Sequence, residues 1–465
     1  MGVRFSARTA PGSDYVIQKY AGPPVTLRRR SSGSGSGGGG SGGGGGGAGS
    51  SRNARLSRKN SLGRRGGARG AGISATNSSS SVGGKRQATA STSSASSSSS
   101  LNGTAPTNGK PPIDGWIGAR PGINADAASS LQKTKAIFRD TNAKSFRYQC
   151  ILGRGAAGTV RLVQHQSNKQ FYALKCMRRS NICHRRAADR TRREIEMLRL
   201  ARFRCPFLVH CFFEFQDKVH VYLMLEYAAG GELFGQITKH KRLAPTVVCF
   251  YAAEILLALR FIHAQSFAYR DLKPDNVLID QTGHILLADF GLVRPVDPIT
   301  GLVQGATGGG TCAYLAPEIT RGHKEPHGIS VDYWALGVVM FECLVGKPPF
   351  GDKSRMAKYE VFQRINKGKI KYPGHVAGNL RELLKGLLCN RQEDRFGLAQ
   401  CQGHPFFSEV DWSLMERRRI APPWVPALSK VGDHANFAKW REPKYPTNKP
   451  LTSQELQYSD VLSRG

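Results

Sequence analysis

The residues best suited to chemistry fall in three short stretches. Leu152 leads into Gly153-Arg154-Gly155-Ala156-Ala157-Gly158-Thr159-Val160, a glycine turn whose backbone N–H groups can approach a phosphate with no Cβ in the way. Fifteen residues after Val160, Lys175 closes the run Tyr172-Ala173-Leu174-Lys175. A lysine at the end of an apolar strand, facing a cleft, can hold the α- and β-phosphates of a nucleotide, and it needs a carboxylate to hold it in turn. Glu194 or Glu196 can supply one. The third stretch, Tyr269-Arg270-Asp271-Leu272-Lys273-Pro274-Asp275-Asn276, gathers carboxylates, an amine and an amide in one loop, and Asp289-Phe290-Gly291 begins thirteen residues beyond Asn276. The glycine turn lies between strands and does not open a helix, which argues against a dinucleotide-binding Rossmann unit.

These groups need a frame. Phe146, Tyr148 and Ile151 enter the glycine turn, and Thr159–Val163 and Phe171–Lys175 flank a polar QHQSNKQ connection, the punctuation of an antiparallel hairpin. Arg190–Leu200 predicts a charged helix with Ile195, Met197 and Leu198 on its apolar side, and Val219–Glu226 a further strand. Thr246–His263 predicts a buried helix behind a Thr246 cap. Ser129 to Ser145 predicts a leading helix, with Leu131, Lys135 and Phe138 at helical spacing. Strands with one main helix, then mostly helices, predict an α+β chain in two lobes. A small antiparallel-sheet lobe precedes a larger helical lobe, with the active site between them.

Composition divides the chain further. Of its 465 residues, 67 are Lys or Arg and 33 are Asp or Glu, a formal charge of +34, and about half of that excess sits before residue 141. Residues 31–50 are thirteen Gly, six Ser and one Ala, too apolar-poor to offset the entropy of ordering, so residues 1–128 are expected to be disordered. No run approaches the ~20 apolar residues of a bilayer span. No signal-peptide pattern opens the chain, which argues against secretion. The ten cysteines carry no CxxC pair, which predicts reduced thiols and a cytoplasmic location; a nuclear one stays open. Cys401-x2-His404 alone is half of a zinc pattern. The basic tail lacks interleaved aromatics, which argues against nucleic acid.

With Ala316-Pro317-Glu318 following, the three stretches form, in order and at ordinary spacing, the signature of the protein kinases, which residues 146–407 resemble. Tyr-Arg-Asp at 269–271, Glu226-Tyr-Ala-Ala-Gly-Gly-Glu232 and Leu278-Ile-Asp-Gln-Thr-Gly283 resemble the AGC-type serine/threonine kinases, nearest the cAMP-dependent catalytic subunits. Residues 408–465 look like their C-terminal extension, with Gly432-Asp-His-Ala-Asn-Phe437 similar to the segment that crosses the ATP pocket. The resemblance implies a bilobal kinase fold that uses ATP and Mg2+. In it Asp271 would orient or accept the substrate hydroxyl proton, Lys273 would neutralise the migrating phosphoryl group, and Asn276 and Asp289 would hold Mg2+. Lys175 would clamp phosphates, paired with Glu194; Glu196 is the alternative. Adenine would lie between Val160, Ala173 and Leu278, with hinge bonds at Glu226 and Ala228. Glu318 would pair with Arg395, and Tyr269, Phe290 and Leu198 would stack between the lobes. Asp332 and Trp334 read as core anchors.

Regulation and substrate choice follow from the same resemblance. Glu232, Asp275 and Glu342 match carboxylates that receive substrate arginines, implying basic Arg-Arg-x-Ser/Thr protein substrates. Thr307 falls where the activation-loop phosphothreonine sits, to be bridged by Arg270 and Arg294, although Gly308-Gly-Gly310-Thr-Cys-Ala313 departs from the family's bulkier segment. An upstream kinase and a separate regulatory subunit are implied as partners. The tail itself offers Ser31, Ser61 and Thr89 behind basic residues as targets. Many relatives end in a Phe-x-x-Phe motif that docks on the sheet lobe, and Gln457–Gly465 contains none. Met1-Gly2 to Ser6 fits N-myristoylation at Gly2, which with the basic clusters would tether the chain to an anionic membrane. The rival reading, a catalytically silent kinase-fold scaffold, would ordinarily lack Lys175, Asp271 or Asp289; all three are present.

Overall fold

The computed structural model describes residues 132, 136–155, 158–303, 309–322, 325–351, 356–441 and 452–462, so the expectations placed on 1–128 lie outside it, Gly2, Ser31, Ser61 and Thr89 among them. Five antiparallel strands form the first sheet, in the order β1-β2-β3-β5-β4. They are β1 (Phe146–Gly155), β2 (Gly158–His165), β3 (Phe171–Arg178), β4 (Cys211–Gln216) and β5 (His220–Leu225). Burial explains the sheet: in β2, β3 and β5 Leu162, Leu174, Val221 and Leu223 have no exposed surface, while on the edge strand β1 Arg147 and Gln149 remain in solvent. Two short helices' worth of basic sequence follow β3, as α1 (Arg179–Ile182) and α2 (Arg185–Ala201). Helix α2 buries Glu194, Ile195, Met197 and Leu198 on one side.

The second lobe begins with β6 (Gly231–Glu232), α3 (Leu233–His240) and α4 (Pro245–Ala264). The strands β7 (Phe267–Ala268), β8 (Val277–Ile279), β9 (Ile285–Leu287) and β10 (Arg294–Pro295) carry the loops of the cleft. Helices α5 (Pro317–Thr320), α6 (Ser330–Val345), α7 (Lys358–Lys367), α8 (Gly378–Leu387), α9 (Leu398–Gln402) and α10 (Trp412–Glu416) complete it. Helices α4 and α6 are apolar nearly all round and form its centre, with fourteen residues each buried.

Three expectations need correction. Helix α4 is 20 residues long with mean hydropathy 1.8, so one run is long and apolar enough to span a bilayer; its burial inside the lobe identifies it as a core helix. Its first turn is not capped by Thr246: Ala244 is the N-cap with no side-chain bond, and Pro245 at the first helical position supplies the pre-set φ instead. The leading helix does not run to Ser145. Leu131 and Lys135 lie outside the described residues, 136–138 are helical, and a turn follows. Asn142 then accepts from Lys144 N–H while Ser145 Oγ accepts from Asn142 N–H, a reciprocal cap that starts a separate 3-10 turn at Ala143.

After α10 the chain returns across both lobes. Tyr227 Oη donates to the Asp433 carbonyl at 2.5 Å, its ring stacks on Phe437 at 5.9 Å, and Asn436 Nδ2 donates to the Ala229 carbonyl at 3.0 Å. Gly432 passes so close to Phe171 that a Cβ would lie 2.5 Å from the ring. The last helix, α11 (Ser453–Ser459), packs on α1 and α2. Arg179 Nε donates to Ser459 Oγ at 3.1 Å and Gln216 Nε2 to Asp460 Oδ1 at 2.7 Å, while Ser459 and Val461 are buried. Ser459, Val461, the partly buried Tyr458 and Leu462, and polar bonds from Arg179, Arg192 and Gln216 thus hold the tail on the sheet lobe without a Phe-x-x-Phe motif.

In the helical lobe Arg395 donates through both terminal nitrogens to Glu318, at 2.7 and 2.9 Å, and lies 5.2 Å over the Trp334 ring. Both partners are buried, so removing one leaves an uncompensated charge. Arg395→Met is expected to lower unfolding stability by about 3–5 kcal/mol in urea titration, and Glu318→Leu/Arg395→Leu to recover most of it. Val461→Asp places a carboxylate under α11 and is expected to speed hydrogen exchange across residues 185–201 about tenfold, read by mass spectrometry, with exchange in α6 unchanged.

Candidate active site

The glycine turn joins β1 to β2 by a register that pairs Gly155 with Gly158 and Gly153 with Val160. Ala156 and Ala157, at its tip, lie outside the described residues. Cβ atoms on Gly153 and Gly155 would meet nothing within 4 Å. Gly158, at φ +147°, instead lies against the Cys176 carbonyl, where any side chain would collide. Arg154 is exposed and Thr159 buried. Pairing β2 with β3 sets Val160 opposite Lys175, and pairing β3 with β5 sets Ala173 opposite Leu225 at the hinge. Leu152, Val160 and Ala173 therefore roof one side of the cleft. Leu278, on β8, lies opposite Glu232 in the small sheet beneath.

Lys175 Nζ donates to Glu194 Oε1 at 2.5 Å and to Asp289 Oδ1 at 3.5 Å. Glu194 is buried and Glu196 is exposed, so the helix brings Glu194 to the lysine. In the turn after α2, Phe203 adopts φ 58° and packs against His210 and Phe212. Burial acts to lower the Lys175 pKa, but the carboxylates of Asp289 and Glu194 outweigh it and hold the ammonium above its ordinary value. The Lys175 charge in turn pulls Asp289 below the usual carboxylate range. Glu226 N–H donates to the His210 carbonyl at 2.8 Å, and the Ala228 carbonyl accepts from Gly231, which fixes the hinge.

Below the cleft, Asp271 accepts from Lys273 Nζ at 3.0 Å and from Asn276 Nδ2 at 3.0 Å. Asn276 Nδ2 also donates to the Asp271 carbonyl at 2.8 Å. Burial raises the Asp271 pKa, opposed by Lys273. Asp332 fixes this loop from below: it accepts from Tyr269 N–H at 2.8 Å and Arg270 N–H at 2.7 Å, and pairs with His263 at 2.8 Å. Arg270 and Asp289 adopt φ 68° and 56°, backbone strain that the surrounding bonds must hold. Tyr269 and Phe290 meet edge to face at 5.9 Å, with Leu198 buried in the same core.

Glu232 lies beside Asp275 and Lys273, and burial first, then Asp275, raises its pKa to about 7. Glu342, on α6, accepts from Tyr314 Oη at 2.6 Å. Thr311 was not singled out from the sequence, yet its Oγ1 lies 3.2 Å from Lys273 Nζ and 3.4 Å from Asp271 Oδ1. Its place three residues before Tyr314 was the available signal, masked by the glycines around it. Thr307 lies outside the described residues. Arg190 and Arg193 of α2 lie near Arg270 and Arg294; burial, then those three cations, lower Arg294 to about 10.

The donor set suits Mg·ATP. Asp289 and Asn276 offer the hard oxygens a magnesium ion prefers, Lys175 offers a fixed cation, and the glycine turn offers phosphates a backbone with no Cβ in the way at Gly153 and Gly155.

The protein kinase domain family matches residues 146–407. The cAMP-dependent protein kinase catalytic subunit of Arthrobotrys oligospora is 35% identical over 331 residues, which cover 69% of this chain and 62% of that protein. The human cAMP-dependent protein kinase catalytic subunit PRKX is 35% identical over 311 residues, 66% of this chain and 84% of that one. The cAMP-dependent protein kinase type 3 of Saccharomyces cerevisiae is 34% identical over 325 residues, 68% and 79% of the two chains. The chain spans less than two thirds of the length of the Arthrobotrys relative. A lysine locked to Glu194, a loop carboxylate held between Lys273 and Asn276, and these matches lead to one family: the chain belongs to the protein kinases, with serine/threonine kinases of the cAMP-dependent type among its relatives.

Proposed function

We propose that the chain is a serine/threonine protein kinase that transfers the γ-phosphoryl group of ATP to hydroxyls preceded by arginines. The observation that carries this reading is the closed Lys175–Glu194 pair standing beside Asp289 and above the Asp271–Lys273–Asn276 cluster. Each group that the chemistry needs is present and correctly neighboured, which speaks against a silent scaffold.

Phosphoryl transfer passes through a loose transition state, so positioning and charge screening do most of the work. Lys175 orients the α- and β-phosphates, and the glycine turn covers them. Asn276 and Asp289 would hold Mg2+, which when bound screens phosphate charge. Asp271 orients the substrate hydroxyl; the oxygen forms its bond to the γ-phosphorus as the bond to the β–γ bridging oxygen breaks, and the hydroxyl proton passes to the carboxylate. Lys273, already 3.0 Å from Asp271, offsets the charge of the moving group, and Thr311 bridges the two. Leu152, Val160, Ala173 and Leu278 enclose adenine against the hinge at Glu226 and Ala228.

Glu232, Asp275 and Glu342 support the preference for arginine, since each charge-assisted bond to a guanidinium contributes about 1.5–3 kcal/mol. The four arginines at 190, 193, 270 and 294 support Thr307 as a regulatory phosphosite, set by an upstream kinase. Two or more of them would relieve their mutual repulsion on a phosphate dianion.

A peptide array with wild type and Asp289→Ala tests the activity, and no phosphorylation by wild type phosphorylated at Thr307 would overturn it. Asp271→Asn is expected to lower kcat about 10²–10⁴-fold with nucleotide binding retained, measured by stopped assay and calorimetry. Because Glu232 ionises near 7, it carries charge above that pH and loses it below. KM for an Arg-Arg-x-Ser peptide is therefore expected to rise about tenfold between pH 8 and pH 6, and Glu232→Gln to flatten that rise while raising KM throughout.

A further inference from the structure

On the large lobe, away from the catalytic cleft, lies a cavity of about 200 Å3 lined by Gln236, His240, Arg242, Leu243, Ala244, Val247, Tyr251 and Trp424. It is large enough for one aromatic ring, since apolar cavities of about 150 Å3 already take benzene. Its walls are held in place. Leu243 N–H donates to the Cys343 carbonyl at 2.7 Å, and Gly346, at φ +83°, packs directly on the Lys241 carbonyl. Trp424 is held from behind, where Gly283 lies against its carbonyl and Pro422. The cavity is thus built before any ligand arrives.

Two of its lining residues, His240 and Arg242, belong to a basic run. Lys239-His240-Lys241-Arg242 form an unbroken basic run, and among the described residues none of the four has a carboxylate within 4.0 Å. Lys239 and His240 complement the C-terminal end of the α3 dipole, but Lys241 and Arg242 lie beyond the helix and serve no such end. An apolar slot beside uncompensated cations is the complement of an apolar anchor beside carboxylates.

We propose that this cavity docks an acidic peptide segment of a partner protein through one aromatic side chain, with flanking Asp or Glu on the 239–242 run. Its charge is opposite to that of the catalytic cleft, where Glu232, Asp275 and Glu342 gather, so the two sites select opposite sequences. The proposal is independent of the reading of the catalytic site.

The test uses the full chain and fluorescein-labelled Asp-Glu-Asp-Phe-Asp-Glu in fluorescence anisotropy, against the same peptide with alanine for phenylalanine. The alanine peptide controls for attraction to the basic tail. The expected result is binding about tenfold tighter for the phenylalanine peptide, with the difference lost in Val247→Trp, which fills the cavity. Arg242→Glu, at an exposed side chain, is expected to weaken the phenylalanine peptide about fivefold or more, the scale of one to a few charge contacts. Both variants are expected to keep wild-type phosphorylation of a short Arg-Arg-x-Ser peptide. Equal affinity for the two peptides, or a difference that survives in both variants, would overturn the proposal. So would a single-stranded oligonucleotide that displaces the phenylalanine peptide and depends on Arg242 but not on Val247, which would make the run a nucleic-acid site.

Discussion

A single buried ion pair, Lys175 with Glu194, joins the two halves of the small lobe and fixes the geometry of everything that faces the cleft. Its cost is high, because two charges leave water and only a short, well-aligned contact compensates them. The lysine is brought in by β3, the glutamate by α2, and the pair closes only while the helix stays seated on the sheet. Helix α2 is short of apolar residues and rich in arginine, so its seat depends on neighbours. The tail supplies one of them through Ser459 and Val461, and the core behind Ile195 and Leu198 supplies the other.

The same constraint recurs in the large lobe. Asp332 has no exposed surface and spends its oxygens on Tyr269 N–H, Arg270 N–H and His263. Those bonds hold Arg270 at a left-handed φ, and from there the loop turns so that Asp271, Lys273 and Asn276 converge. Two of the seven non-glycine positive-φ residues among the described ones, Arg270 and Asp289, fall in the two loops that line the cleft. Charge is divided too: Glu232 lies beside Asp275, while Arg190, Arg193 and Arg270 lie near Arg294.

Several features were legible in residue order because they are local. The glycine turn, the strand that carries Lys175 and the loop at 269–276 are each set by spacing along one element, although β3 runs three residues past Lys175 to Arg178. The misreadings were local too. Thr246 looked like a cap because Thr caps helices, but Pro245 one residue earlier already satisfies the geometry. The segment before Phe146 looked helical until Asn142 and Ser145 closed a reciprocal cap. Thr311 went unnoticed because its role comes from a contact across the cleft, with Lys273 and Asp271, that no spacing encodes.

Sequence by itself determined the family and the order of a sheet lobe before a helical one, since the motifs are written in short runs with fixed chemistry. Tertiary structure decided which of Glu194 and Glu196 meets the lysine. The helix presents only one of them to the core. It also decided how a tail without a Phe-x-x-Phe motif docks, because Arg179, Gln216 and Ser459 are far apart in the chain and meet only on the folded lobe. Hydrogen bonds between distant segments depend on three-dimensional register, and that register exists only once the sheet and α2 have packed.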